Sequence, residues 1–328
     1  MNKPVTETHA PSALFFCVSL NPAIDTRLVL DALLPGRVNR AREVHRAPGG
    51  KAAHVAIALR GLGAAPVWIG FSGGATGREL LAGLKDLGIE VTAIPTSERS
   101  RINLEILDIR GEVTEILEPG GTIAQSEWSE FQQICNDALQ SPAKRKIAVL
   151  SGSQPPGVPA EAGAVLVKAA QSENCMAFID SSGLGLSKAL GAGPNLVKIN
   201  REEAEVVTQI AISDPLSAAS AARKLLELGA KSAVISIGAR GMVGVPSRNQ
   251  PAIHVWTTPL HAKSTVGCGD AALAGLAFGA ATDLSFEKSL ALAVACGAAN
   301  CLARLPALIA QEDVSRLEKD VHIESLSE

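Results

Sequence analysis

No block of basic residues occurs in this chain, and its 328 residues carry a formal charge of −3. That excludes the electrostatic footprint of a nucleic-acid or anionic-membrane binder and leaves a small molecule as the favoured partner. The six cysteines, at 17, 135, 175, 268, 296 and 301, form no C-x-x-C pair. A zinc knuckle or disulfide framework is therefore not expected, and they read as small buried hydrophobes. The longest apolar stretch, Leu290 to Leu302, falls short of the ~20 residues a bilayer span requires and contains Gly297 and Asn300, so it predicts a buried core helix. The first residues lack an apolar h-region followed by a small-residue cleavage site, which predicts a cytoplasmic protein. A P-loop is missing too, because Gly50-Lys51 is followed by Ala52.

What the chain does have is alternation. Short β-rich runs at Leu14–Leu20, Val67–Phe71, Ile147–Leu150, Met176–Ile179, Leu196–Ile199 and Ala233–Ile237 are separated by Ala/Leu-rich helical patterns. This predicts βαβ units and an α/β fold with a mostly parallel central sheet. Two short strands near Met242–Val245 and Ile253–Trp256 follow, and helices starting near Asp270 and Phe286 predict that the chain ends in a helical layer. Asp25–Ala47 and Arg101–Glu118 break the rhythm as short alternating strands, the second with a turn at Arg110-Gly111-Glu112. No linker or repeat sets them apart. The expectation is one domain over 12–320, with 25–47 and 101–118 forming an inserted β-sheet lid and 1–11 a disordered tail.

Chemistry concentrates at Ser264-Thr265-Val266-Gly267-Cys268-Gly269-Asp270-Ala271-Ala272, which runs into an apolar helix. A helix start presents backbone N–H groups without intrahelical partners, and glycines let a phosphate approach them. The turn reads as an anion hole; Asp270 also reads as a simple helix cap. Its spelling satisfies G-x-G-x-x-A as well, with Glu287 downstream, but a dinucleotide turn belongs at the opening of a βαβ series and not near the end of one.

Further motifs follow a fixed order: Asn21-Pro22-Ala23-Ile24-Asp25, Gly49-Gly50-Lys51-Ala52-Ala53-His54, Arg101-Ile102-Asn103, Ser151-Gly152-Ser153-Gln154-Pro155-Pro156-Gly157, Lys198-Ile199-Asn200-Arg201-Glu202-Glu203, Ser236-Ile237-Gly238-Ala239-Arg240-Gly241 and Cys296-Gly297-Ala298-Ala299-Asn300. From about Val18 to about Arg304 the chain resembles the ribokinase-like PfkB carbohydrate kinases, and within them the 1-phosphofructokinase and tagatose-6-phosphate kinase branch.

That resemblance implies a three-layer α/β/α kinase using ATP and Mg²⁺. Asp270 would be the general base, and Gly267, Cys268 and Gly269 the anion hole. Asp25 would accept hydrogen bonds from sugar hydroxyls, with Gly49 and Gly50 opening a helix beside the substrate. Arg101, with Lys51 as a second candidate, would meet the sugar phosphate, and Ser153 would hydrogen-bond the substrate. Lys198, Asn200, Ser236, Gly238, Gly241 and Asn300 would border the nucleotide. Asn200 and Glu203 would organise magnesium through water, although their spacing is also that of a helix cap.

Ala52 and His54 depart from the branch's glycine and asparagine. An imidazole at 54 would alter the hydroxyl pattern that is read, or simply pack in the helix. The acceptor is expected to be fructose 1-phosphate, fructose 6-phosphate or tagatose 6-phosphate, and the assembly a homodimer through the lid. Other readings are a kinase of an unphosphorylated sugar or nucleoside, an NAD-dependent oxidoreductase, and a non-catalytic sugar-phosphate sensor.

Overall fold

The computed structural model describes residues 13–260, 262 and 264–326; the expected tail at 1–11 lies outside the described residues. In chain order the strands are β1 (Leu14–Ser19), β2 (Ala23–Leu30), β3 (Glu43–Gly49), β4 (Pro66–Ser72), β5 (Glu90–Pro95), β6 (Arg101–Asp108), β7 (Val113–Leu117), β8 (Lys146–Ser151), β9 (Met176–Asp180), β10 (Leu196–Asn200), β11 (Ala233–Ser236), β12 (Met242–Val245), β13 (Ala252–Thr257) and β14 (Val321–Leu326). The helices are α1 (Lys51–Gly61), α2 (Gly74–Asp86), α3 (Gln125–Leu139), α4 (Ala162–Ser172), α5 (Gly183–Gly191), α6 (Arg201–Thr208), α7 (Pro215–Glu227), α8 (Cys268–Ala281), α9 (Phe286–Leu302) and α10 (Gln311–Leu317).

Ten strands form one sheet in the order β14-β13-β12-β11-β10-β9-β8-β1-β4-β5. Pairing is parallel from β5 across to β11 and antiparallel from β11 out to β14. β8 is buried at every position and β1 at all but its first, because helices cover both faces and a continuous apolar run is what such a strand requires. One core, containing Phe15 and Trp68, packs this sheet against α1, α2, α8, α9 and α10; the other, containing Phe131, packs it against α3 to α7. α9 is the buried helix expected over Leu290–Leu302, and among the described residues no helix is long and apolar enough to cross a membrane.

A second sheet of four strands, β3-β2-β6-β7, has β2 parallel to β6 and antiparallel to β3. It is stitched to the main body by buried charge. Arg27 Nε donates to Glu105 Oε2 at 2.9 Å, Ser264 Oγ donates to Glu105 Oε1 at 2.9 Å, and Arg27 Nη1 reaches the Arg304 carbonyl at 3.1 Å. Strand β6 is thereby tied to the loop that leads into α8.

The chain does not end in a helical layer. After α10 it adds β14 antiparallel to β13, an edge strand exposed at His322, Ile323, Glu324 and Ser325. Ladder hydrogen bonds hold an edge strand of this kind, and they leave no buried apolar pattern to read. α3, β5 and α10 were likewise not foreseen, although Trp128, Phe131, Cys135 and Leu139 lie on one buried face of α3.

Candidate active site

α8 begins at Cys268, with Gly267 as its N-cap at φ 82°, a left-handed conformation that a side chain would strain. The Cys268 N–H donates to the Thr265 carbonyl at 3.2 Å and closes the turn. It is thus already engaged, contrary to its expected place in the anion hole. The N–H groups of Gly267, Gly269 and Asp270 have no hydrogen-bond partner among the described residues. Asn300 was expected at the nucleotide, but it is buried behind the turn. Its Nδ2 donates to Val266 O at 2.8 Å, and its Oδ1 accepts from the Ala307 N–H at 2.6 Å.

Asp270 lies in the first turn of α8 and is 6% exposed. Its Oδ2 is 2.8 Å from His54 Nδ1. On the far side of the ring, His54 Nε2 lies 2.8 Å from Asp25 Oδ2, out of line for a hydrogen bond. Asp25 Oδ1 accepts from Asn103 Nδ2 at 2.9 Å, and Gly49 backs onto this carboxylate with no space for a Cβ. Burial opposes ionisation of Asp25, yet His54, Asn103 and Arg101 outweigh it and hold the carboxyl below its usual range. His54 is therefore not simply a packed helix residue, and both its nitrogens face carboxylates.

A second charged cluster adjoins the turn. Asp180, fully buried at the end of β9, receives Lys198 Nζ at 2.6 Å and Lys51 Nζ at 2.5 Å, and Lys51 also reaches Glu203 Oε1 at 3.1 Å. Burial would raise the Asp180 carboxyl, but the two lysines pull it down to about 2. A Cβ on Gly269 would sit 2.7 Å from Lys198 Nζ, so this ammonium lies directly against the turn. Lys51, one candidate for the sugar phosphate, is gathered into this cluster instead. Asn200 and Glu203 form a reciprocal cap on α6, with Glu203 N–H donating to Asn200 Oδ1 at 2.8 Å and Asn200 N–H to Glu203 Oε2 at 2.9 Å.

Arg101 opens β6 and faces a cavity of about 310 Å³ that Arg99, Glu118 and Gly120 also line. Its Nε donates to Asn21 O at 3.2 Å and its Nη1 to Glu118 O at 2.9 Å. Nη2 has no hydrogen-bond partner among the described residues. Ser153 Oγ accepts from Asn21 Nδ2 at 3.0 Å. Against the turn itself is a cavity of about 350 Å³ lined by Ser236, Gly238, Gly241, Cys268, Gly269 and Cys301, among others. Cys268 Sγ is 3.4 Å from Cys301 Sγ.

Of the residues singled out from the sequence, Arg101 lines the first cavity and Ser236, Gly238, Gly241, Cys268 and Gly269 line the second, while Asp25, His54 and Asp270 form a buried trio that reaches the start of α8. Asp180, Asn103 and Asn21 were not assigned roles. Asp180 had a signal, since it stands at the carboxyl end of a parallel strand, where open α/β sheets bind ligands.

The family description "pfkB family carbohydrate kinase" matches residues 16–311. The chain belongs to this family. It is an ATP-dependent sugar kinase with the ribokinase-like three-layer fold. It is 31% identical to the ATP-dependent 6-phosphofructokinase isozyme 2 of Escherichia coli strain K12 over 92% of this chain and 97% of that protein. Identity to the 1-phosphofructokinase of Bacillus subtilis strain 168 is 28% over 95% of this chain and 100% of that one. The solved tetrameric inhibited form of phosphofructokinase-2 from Escherichia coli superposes with a TM-score of 0.84 at 30% identity, covering 93% of this kinase and 98% of that chain.

Proposed function

We propose that this kinase transfers the γ-phosphoryl group of ATP to a hydroxyl of a ketohexose phosphate, with Asp270 as general base. The observation that carries the reading is the position of the Asp270 carboxylate, at the start of α8 between the Asp25 side and the cavity lined by Cys268 and Gly269. As the sugar oxygen bonds to the γ-phosphorus and the bond to the β-phosphate oxygen breaks, the hydroxyl proton passes to Asp270 and ADP leaves. Free N–H groups of Gly267 and Gly269, with the Lys198 ammonium beside them, stabilise charge on the transferred oxygens. Ser236, Gly238 and Gly241 border the nucleotide.

Asp25 accepts from sugar hydroxyls, with Gly49, Gly50 and Ser153 shaping that end of the site. Arg101 takes the phosphate already on the sugar; its free Nη2 and the adjoining cavity support a phosphorylated acceptor over a free sugar or nucleoside. The matched 6- and 1-phosphofructokinases make fructose 6-phosphate and fructose 1-phosphate the first acceptors to try, with tagatose 6-phosphate beside them.

Magnesium suits this chain as an ion carried in with ATP. Among the described residues no group of three His, Cys, Asp or Glu could hold a metal, and both Glu203 oxygens are already engaged. Asn200 and Glu203 would meet the ion through water. When bound, it neutralises charge on the phosphate oxygens.

The small sheet acts as a lid over the sugar and as the surface of a homodimer, in a single cytoplasmic domain that runs past the expected end at 320 to include β14. Its exposed Val44, Ile116 and Leu117 support this contact. The test is ADP release from MgATP against ketohexose phosphates and free sugars, run beside Asp270→Asn. Turnover on one sugar phosphate that falls ~10²- to 10⁴-fold in the variant is expected. ATP and sugar-phosphate binding without ADP from any acceptor would instead favour a sensor.

A further inference from the structure

We propose that His54 is a positioning residue for the base, carried as an imidazolium between Asp25 and Asp270, which fixes Asp270 Oδ2 and leaves Oδ1 for the attacking hydroxyl. The proposal rests on the reading of Asp270 as base.

The geometry supports the charged ring. A neutral imidazole carries one N–H, so its other nitrogen would turn a lone pair toward a carboxylate oxygen. Here both nitrogens lie 2.8 Å from a carboxylate oxygen, on Asp270 and Asp25 respectively. With both carboxylates ionised, the doubly protonated ring alone keeps a lone pair from facing either of them, through a hydrogen bond at Nδ1 and a close, out-of-line charge contact at Nε2. The side chain is 5% exposed, so water does not relieve it. Burial would discharge the ring, but the two carboxylates push its pKa up to about 10. The other charges around the trio are Lys51 on the same helix, Arg101 on β6 and Glu115 on β7.

Two consequences separate this arrangement from an inert core histidine. Asp270 Oδ2 is committed to Nδ1, whereas Oδ1 accepts no hydrogen bond among the described residues, so the carboxylate presents a single oxygen in a fixed orientation. An imidazolium also offers no acceptor. It cannot read a sugar hydroxyl as an amide would, and that work stays with Asp25. The trio carries one net negative charge where two bare carboxylates would carry two, which lowers repulsion toward an anionic acceptor and ATP.

The test combines kinetics with histidine-selective ¹⁵N NMR on the whole protein, the His54 signal being assigned by its disappearance in His54→Asn. Both ring nitrogens are expected to carry protons at pH 8; a neutral tautomer there overturns the proposal. Turnover in His54→Asn and His54→Gln is expected to fall ~10- to 100-fold with the KM for MgATP within about twofold, because a displaced base slows chemistry and not nucleotide binding. Thermal melts confirm that the variants are folded. If these variants keep wild-type kcat while Asp270→Asn is inactive, the positioning role fails alone. If Asp270→Asn itself keeps turnover, the base assignment fails and the positioning role with it.

Discussion

The two ends of the site are built from different materials. Around the reacting atoms, side chains carry charge and hold one another in pairs: Asp25 with His54, His54 with Asp270, Asp180 with Lys51 and Lys198. The cavity assigned to the nucleotide is lined instead by Gly238, Ala239, Gly241, Met242, Val294 and Ala298, with almost no charge. A charged lattice fixes direction at the reacting atoms, since each ion is worth more where water is scarce. A neutral wall of glycine and small apolar residues provides shape alone. Substitution should therefore be felt sharply at the first end and weakly at the second.

Asp180→Asn is the strongest way to break that contrast. It strands the buried Lys198 ammonium and leaves Lys51 with Glu203 alone, and a loss of ~3–5 kcal/mol of stability is expected by urea denaturation. A loss below about 0.5 kcal/mol, the level of an ordinary surface change, would show the cluster to be dispensable. Arg101→Met should raise the KM for the sugar phosphate ~10-fold or more and leave that for MgATP unchanged, since a charge-assisted hydrogen bond contributes ~1.5–3 kcal/mol. An equal rise in both would move Arg101 out of the acceptor site.

The charged end should also give stability a pH signature. His54 is raised from 6.5 to about 10 in the folded protein, so its contribution is complete below pH 6.5 and is lost as pH rises through about 10. Denaturation of the wild type and His54→Asn at pH 6.5 and near pH 10 should show the wild type losing more over this interval. Parallel loss would sink the charged ring. The smallest effect is expected at the neutral end: Cys268→Ala should keep turnover within about threefold, because the turn acts through its backbone. A larger loss in a folded variant would give the thiol a part in the chemistry.

Much of the frame was legible because it is local. Gly267 and Gly269 around Cys268, and the alternation of apolar runs with helical patterns, are written in consecutive residues. The lattice of charge is not. His54 meets Asp270 across 216 positions and Lys51 meets Asp180 across 129, so the sequence offered His54 and Lys51 as candidates without their partners. Lys51, a second candidate for the sugar phosphate, is held by Asp180 and Glu203, and a lone cation after Gly49-Gly50 gives no direction from which to foresee this. The resemblance of Cys296–Asn300 to a helix beside the nucleotide implies that Asn300 borders it, yet its helical position turns the amide toward Val266 and Ala307. β14 escaped because edge pairing needs no apolar stripe.

Glu105 gives the small sheet a grammar of its own. With one oxygen on Arg27 and the other on Ser264, it spells a conjunction between strand β6 and the segment that becomes α8. The sheet cannot swing away as a rigid body while Ser264 stays in place unless a buried carboxylate gives up a partner. The two halves of the site are in this sense joined by "and", so a change that loosens Glu105 should disturb both at once.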